Sequence, residues 1–497
     1  MALMQLAEPV FYQNFMKRLA TSFLVCALAL GMCHAEIKLP NVIGSNMVLQ
    51  RNDNVALWGK ATPDSKVKIT TEWNGRKYTA QAGADGKWNT RVETGEAGGP
   101  YQITISDGKA VTLDNILLGE VWICGGQSNM DMPVCGDATQ PAEGSYEALR
   151  TVKDYPNIRM FTVPRNDTDM PLDSCGGEWL ISVPANVRKF SAVAYYFART
   201  MQDFIDVPVG LVVNSYGGSS IEAWMTEECL KSIEGADLAA SYSVQQPRER
   251  PQRLWNAMLC PLVPYTAKGF LWYQGEANID RWYDYAKMQQ AQIALWRNAW
   301  GREDMPFYIT QIAPYSYPYI KGDKLPLLIE QQYQAAASTP KCEIVATTDL
   351  GNRDCIHPAK KREVGERLAW LALKNDYGID GLPKPAPTFH RMKMTDKGEL
   401  MVIFNNVDAI DSFVYYDDNG DLAIQGFEIA GEDKVFHPAK VRTNVWSNKL
   451  YLSSPEVPNP IAVRYAFRNF VPEANLRTNY GQPVPPFRTD TWETEMK

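Results

Sequence analysis

Apolar and polar positions change rhythm twice along the chain. Strand-like runs at 46–50, 55–58, 67–71, 78–81 and 101–105 are separated by turn residues such as Asn74-Gly75 and Asp85-Gly86. A spacing of about ten residues predicts a β-sandwich over 36–115. From about residue 116 the pattern becomes strand and helix in alternation. Apolar runs at 116–124, 157–163, 208–214, 268–273, 306–312 and 342–348 enclose helical periodicity at 190–205, 283–299 and 325–338. That alternation predicts an α/β domain over 116–384, doubly wound around a mostly parallel sheet. Its last helix is well delimited: Pro358 suits the first turn, Val364, Leu368, Leu371 and Ala372 share a face, and Gly378 closes it. After Tyr377 the alternation stops. Runs at 400–404, 427–430, 441–443 and 450–452 predict a C-terminal β-rich region over 385–497.

The N-terminus has the pattern of an export signal. Lys17-Arg18 precede an apolar stretch at 19–30, too short to span a bilayer comfortably, which ends near Cys33-His34-Ala35. Residues 1–35 are therefore expected to be removed, and Met16 is the alternative start. The expected mature protein is exported, to a bacterial periplasm or beyond, with no membrane attachment once the signal is gone. At 497 residues, with a formal net charge of −7 and a pI near 5.4, the chain has no basic block that would suit nucleic acid. Seven of the nine cysteines lie beyond the signal, and their spacing matches neither a disulfide framework nor a zinc site. No metal and no cofactor are expected.

Candidate chemistry gathers where strands end. In doubly wound sheets ligands bind outside the carboxyl ends of the strands. Four polar segments occupy such positions here: Gly126-Gln127-Ser128-Asn129, Asn214 to Ser220, Trp272 to Asn278, and Asp354-Cys355-Ile356-His357-Pro358. A strand that stops at paired glycines and delivers a serine suits a nucleophile, whose own N–H can help hold an oxyanion. The competing reading of Ser128 is a helix N-cap.

A general base follows by elimination. Of four histidines, His34 leaves with the signal, and His390 and His437 fall in β-patterned sequence beyond the sheet. His357 sits in a strand-to-helix loop on the ligand side and is the candidate base. Asp354, three residues earlier, is the candidate that orients the ring; the alternatives are a capping role for Asp354 and an orienting role for Asp349.

Taken together, these four segments resemble the four blocks of the SGNH (GDSL-type) hydrolases, and more closely the sialate O-acetylesterase group of carbohydrate esterases. The resemblance runs from the N-terminal sandwich to Asn475-Leu476 and to 486–490, nearly the whole mature chain. It implies an SGNH-like fold and serine-dependent removal of O-acetyl groups from sugars, typically 9-O-acetyl sialic acid, without a metal. It further implies Ser128 as nucleophile, His357 as base and Asp354 as its orienter. The oxyanion donors implied are the N–H groups of Ser128 and Gly218 and the side-chain amide of Gln274. Gln274 stands where the wider superfamily has asparagine, and Glu276 is either an orienting or a structural carboxylate.

The expected partner is thus an acetylated sugar. Acetylxylan or another acetylated glycan is the alternative substrate, and an esterase of unrelated substrate is a second enzyme reading. A carbohydrate-binding protein with an inactive hydrolase core is the non-enzymatic alternative.

Overall fold

The computed structural model describes residues 37–408, 412–414, 424–443 and 447–492. The expected signal at 1–35 lies outside these residues. Among them, no helix is long and apolar enough to cross a membrane.

One strand organises the molecule. Ala110–Gly126 is buried almost throughout its second half, and its period-2 alternation feeds two cores. Val121 and Ile123 point into one, Trp122 and Cys124 into the other. A strand covered on both faces reads as a continuous apolar run, which is why 116–124 shows no polar alternation. Parallel partners flank it on each side. Val209–Ser215 pairs with Ser215 opposite Gly126, and Gly269–Tyr273 pairs with Tyr273 opposite Gly126. Phe307–Thr310 and Cys342–Val345 extend the parallel sheet on the second side, while Ile158–Thr162 and the antiparallel edge Trp179–Ile181 extend it on the first. The chain changes sides between Val209–Ser215 and Gly269–Tyr273, so the topological switch lies at the carboxyl end of Ala110–Gly126.

Helices cover both faces. Ala192–Ile205 and Lys361–Tyr377 pack on the Trp122 face, while Tyr285–Ala299 and Leu325–Ala337 pack on the Ile123 face. Gly378, in the left-handed conformation, caps the last of these as expected. The helix itself starts three residues after Pro358, so that proline belongs to the preceding loop.

The two β regions flank this sheet. In the first, Lys66–Thr71 pairs with Lys77–Gln81 and Gly98–Ser106, and Asn54–Lys60 pairs with Lys87–Glu93. Gly98–Ser106 then pairs with the start of Ala110–Gly126, so one unbroken strand runs through the expected boundary at 115/116. Beyond residue 385, two four-stranded antiparallel sheets enclose a core of their own. His390 and His437 lie on strands of these sheets. Arg488 ties the region to the α/β domain through a two-pronged ion pair with Glu330 at 2.8 and 3.0 Å.

Candidate active site

Backbone geometry alone sets the serine turn. Gly126 has φ +143°, and a Cβ there would meet the carbonyl oxygen of Tyr273 at 2.2 Å, so only glycine fits. Gln127 then occupies the N-cap position of the short helix Ser128–Asp131. Ser128 is the first helical residue and not the cap. Its hydroxyl has no hydrogen-bond partner among the described residues, and the side chain is half-exposed. The capping reading therefore fails, which leaves a hydroxyl open to the cleft.

The second block closes over it. Gly217 lies close enough that a Cβ there would contact the Ser128 Cβ at 3.4 Å. Gly218 takes φ +74°, with the Arg248 guanidinium packed against it. Neither the Ser128 N–H nor the Gly218 N–H has a partner among the described residues, so both are free to donate to an anion.

Gln274 behaves differently from the expectation. Its two amide protons go to Ser219 O at 3.0 Å and Asn278 Oδ1 at 2.8 Å, and its oxygen accepts from Tyr285 Oη at 2.7 Å. A fully buried amide with both its protons engaged has none left to donate to an oxyanion. The physical reason lies in its neighbours. Asn278 is itself held by Glu222 and the Ile221 N–H, so the whole 274–278 segment is braced from inside. Gln127 joins the bracing by accepting from the N–H groups of Gly275 and Ala277, both at 3.3 Å.

His357 comes to the same corner. Asn129 donates to the carbonyl of Ile356 at 3.1 Å, which fastens the residue after Ser128 to the residue before His357. The carboxylate facing the ring is Asp137, whose Oδ2 lies 3.3 Å from Nδ1, with Thr139 Oγ1 at 3.3 Å from the same nitrogen. Burial works to raise the Asp137 carboxyl, but hydrogen bonds from Thr139 and Gln140 and the nearby histidine hold it below its ordinary value. Burial pushes His357 below 6.5 and Lys361 adds to that, against the opposing pull of Asp137 and Asp131.

Asp354 is not brought to the ring. Asn352 Oδ1 accepts from the N–H groups of Asp354 and Cys355 at 2.9 and 3.1 Å, a local turn that leaves the Asp354 side chain exposed. Asp349 is engaged elsewhere, in a bidentate pair with Arg367 at 2.8 and 2.7 Å. Glu276 is buried, with burial raising its carboxyl, and it accepts from Asn129 at 2.5 Å. Sequence reasoning missed Asp137, Arg248 and Lys361. Asp137 sits in an irregular loop and Arg248 in the short 3-10 helix Pro247–Glu249, neither within a motif, and only the position of Lys361 four residues after His357 offered a signal.

A parallel α/β sheet that presents an unpartnered serine, two free N–H groups and a carboxylate-backed histidine at its switch point has the parts of a serine-type ester hydrolase. The sequence profile of the sialic acid-specific acetylesterases, a carbohydrate esterase family, matches residues 118–374, just over half of the chain. The chain belongs to this family. It is 28% identical to the rat sialate O-acetylesterase over 428 residues, covering 73% of this chain and 78% of the rat protein. The human sialate O-acetylesterase is also 28% identical, over 74% of this chain and 76% of its own. Among solved structures, a carbohydrate acetylesterase from Xanthomonas citri superposes with a TM-score of 0.82 at 34% identity, covering 92% of this chain and all of that one.

Proposed function

We propose that this protein removes O-acetyl groups from sialic acids by a serine mechanism. The open Ser128 hydroxyl between Gly217 and the His357 loop is the observation that carries the reading. Ser128 Oγ attacks the acetyl carbonyl carbon while His357 takes its proton. With Nδ1 on Asp137, Nε2 is the ring nitrogen left for this transfer. The oxyanion is held by the N–H groups of Ser128 and Gly218, each worth about 3 kcal/mol when aligned. Collapse expels the sugar oxygen, which receives the proton from His357. Water, activated by the same histidine, then releases acetate from the acetyl-serine. Asp137 is the orienting carboxylate in this reading, in place of Asp354.

Arg248 supports an acidic sugar over a neutral glycan. Its guanidinium packs on Gly218 and makes no ion pair within 4 Å among the described residues, with Glu249 the nearby carboxylate it favours and Gln246 Oε1 accepting from Nη1 at 3.2 Å, while its buried Nε has no hydrogen bond. A cation so placed suits the carboxylate of a sialic acid. The test is acetate release from 9-O-acetylated sialic acid and from acetylxylan, measured side by side. Higher kcat/KM on the sialic acid is the expected result; turnover of acetylxylan alone, or of neither, would overturn it.

We also propose export, supported by Lys17-Arg18 and the apolar run at 19–30. Mass spectrometry of the protein recovered from its native cell should give an N-terminus at Glu36. An intact leader would contradict this.

A further inference from the structure

A lysine is fully buried behind the reaction centre. Lys361 opens the helix Lys361–Tyr377, is 0% exposed, and donates to Asn129 Oδ1 at 2.5 Å. The amide nitrogen of Asn129 has both its protons engaged, on Glu276 Oε1 at 2.5 Å and on Ile356 O at 3.1 Å. An ammonium can only donate, and both oxygens opposite the amide nitrogen accept, so Asn129 has a single satisfied orientation. Turning the amide over would set its N–H groups against the ammonium and its oxygen against the Ile356 carbonyl. Removing the lysine therefore frees the one group that joins the serine turn to the histidine loop. The burial is expensive, and among the described residues Lys361 makes no ion pair within 4 Å to offset it. The ring of Tyr273 lies 5.6 Å from its ammonium.

We propose that Lys361 is a positioning residue. Through Asn129 it holds the Ser128 turn and the backbone before His357 as one unit, and it keeps a positive charge behind the histidine. This rests on the reading of Ser128 and His357 as nucleophile and base.

The charges around the pair give the proposal a signature. His357 faces Asp137 and Asp131, which favour its protonated form, and Lys361, which disfavours it together with burial. Lys361 faces Glu276, Cys355 and Asp137, all favouring its charged form, while burial pushes it down to about 7. Loss of the lysine removes a cation near the base, so the base should hold its proton to higher pH.

The test is kcat/KM for p-nitrophenyl acetate against pH, for wild type, Lys361→Met, Glu276→Gln and Ser128→Ala, with thermal unfolding run in parallel. Lys361→Met should lower the plateau at least about tenfold and move the midpoint of the acid limb up by about half a unit. Glu276→Gln keeps an acceptor for Asn129 but removes the carboxylate that favours the charged lysine. It should move the midpoint in the same direction by less, and it decides the matter should Lys361→Met not fold. A lysine needed for packing alone would change unfolding and yield but leave the midpoint where it was. An unmoved midpoint in the folded variants, or unchanged activity in both, overturns the proposal. Full activity in Ser128→Ala would instead overturn the serine reading beneath it.

Discussion

The two halves of the proposed reaction centre are built by different means. The serine half is a product of backbone: three parallel strands end in register at Gly126, Ser215 and Tyr273, and steric exclusion at Gly126 fixes the turn that follows. The histidine half is a product of side chains. Its loop is held by Asn129, Gln140 and Asp137, residues more than two hundred positions away. Backbone constraints recur wherever a strand meets a helix and can be read from spacing. Side-chain ties across the fold have no local spacing to read, and there the structure sets Asp137 rather than the expected Asp354 beside the ring.

The largest effect should come from the serine half. Ser128→Ala should fold with an unchanged melting temperature and lose about 10⁴-fold or more in kcat on any acetyl ester. Next comes the contest within the histidine half. Asp137→Asn removes the charge that backs the imidazolium and should cost about 10²- to 10⁴-fold in kcat, whereas Asp354→Asn should stay within about threefold. The reverse order would mean that the loop rearranges when substrate binds and that motif spacing is the better guide.

The fold was legible for the same reason as the serine. Each of the six apolar runs between 116 and 348 became a strand or part of one, and the helices at 192–205, 285–299 and 325–337 fall within two residues of the periodicity that marks them. Both faces of the sheet are buried, so the apolar signal is strong. The strands Lys87–Glu93 and Thr388–Met394 went unread because their exposed faces carry lysine, arginine, asparagine and histidine between few buried positions. At the candidate site, strand ends and the scarcity of histidine pointed to Ser128 and His357, which the structure brings to one corner of the sheet. Gln274 was misjudged because spacing shows where a residue sits but not what its amide already touches. Asp137 was invisible because its loop, 135–140, carries no pattern at all.

pH gives a smaller effect that sharpens the comparison. In the proposed mechanism the neutral imidazole is the reactive form, and burial first, then Lys361, push His357 below 6.5. The acid limb of kcat/KM should thus lie below the midpoint of a free histidine, and activity should persist to lower pH. A midpoint above 7 would mean that the carboxylates beside the ring outweigh burial. Activity should also survive EDTA, because no step above calls on a metal.

The braced segment behind the serine should respond in stability more than in rate. Gln274→Leu abandons three hydrogen bonds in a fully buried setting and should cost about 1–3 kcal/mol for each group left unpaired, read as a lower melting temperature. Its kcat should fall less than tenfold in the fraction that remains folded. Asp349→Asn should change turnover least of all, its effect confined to the ion pair with Arg367.

The central claim is that Ser128 becomes acylated, and the direct measurement is covalent capture. The protein is treated with a fluorophosphonate, digested, and the adduct is located by peptide mass spectrometry. One equivalent on the peptide that contains Ser128, with activity lost in proportion and no labelling of Ser128→Ala, is the predicted result. Labelling at another residue, or full inactivation with Ser128 unmodified, would contradict it.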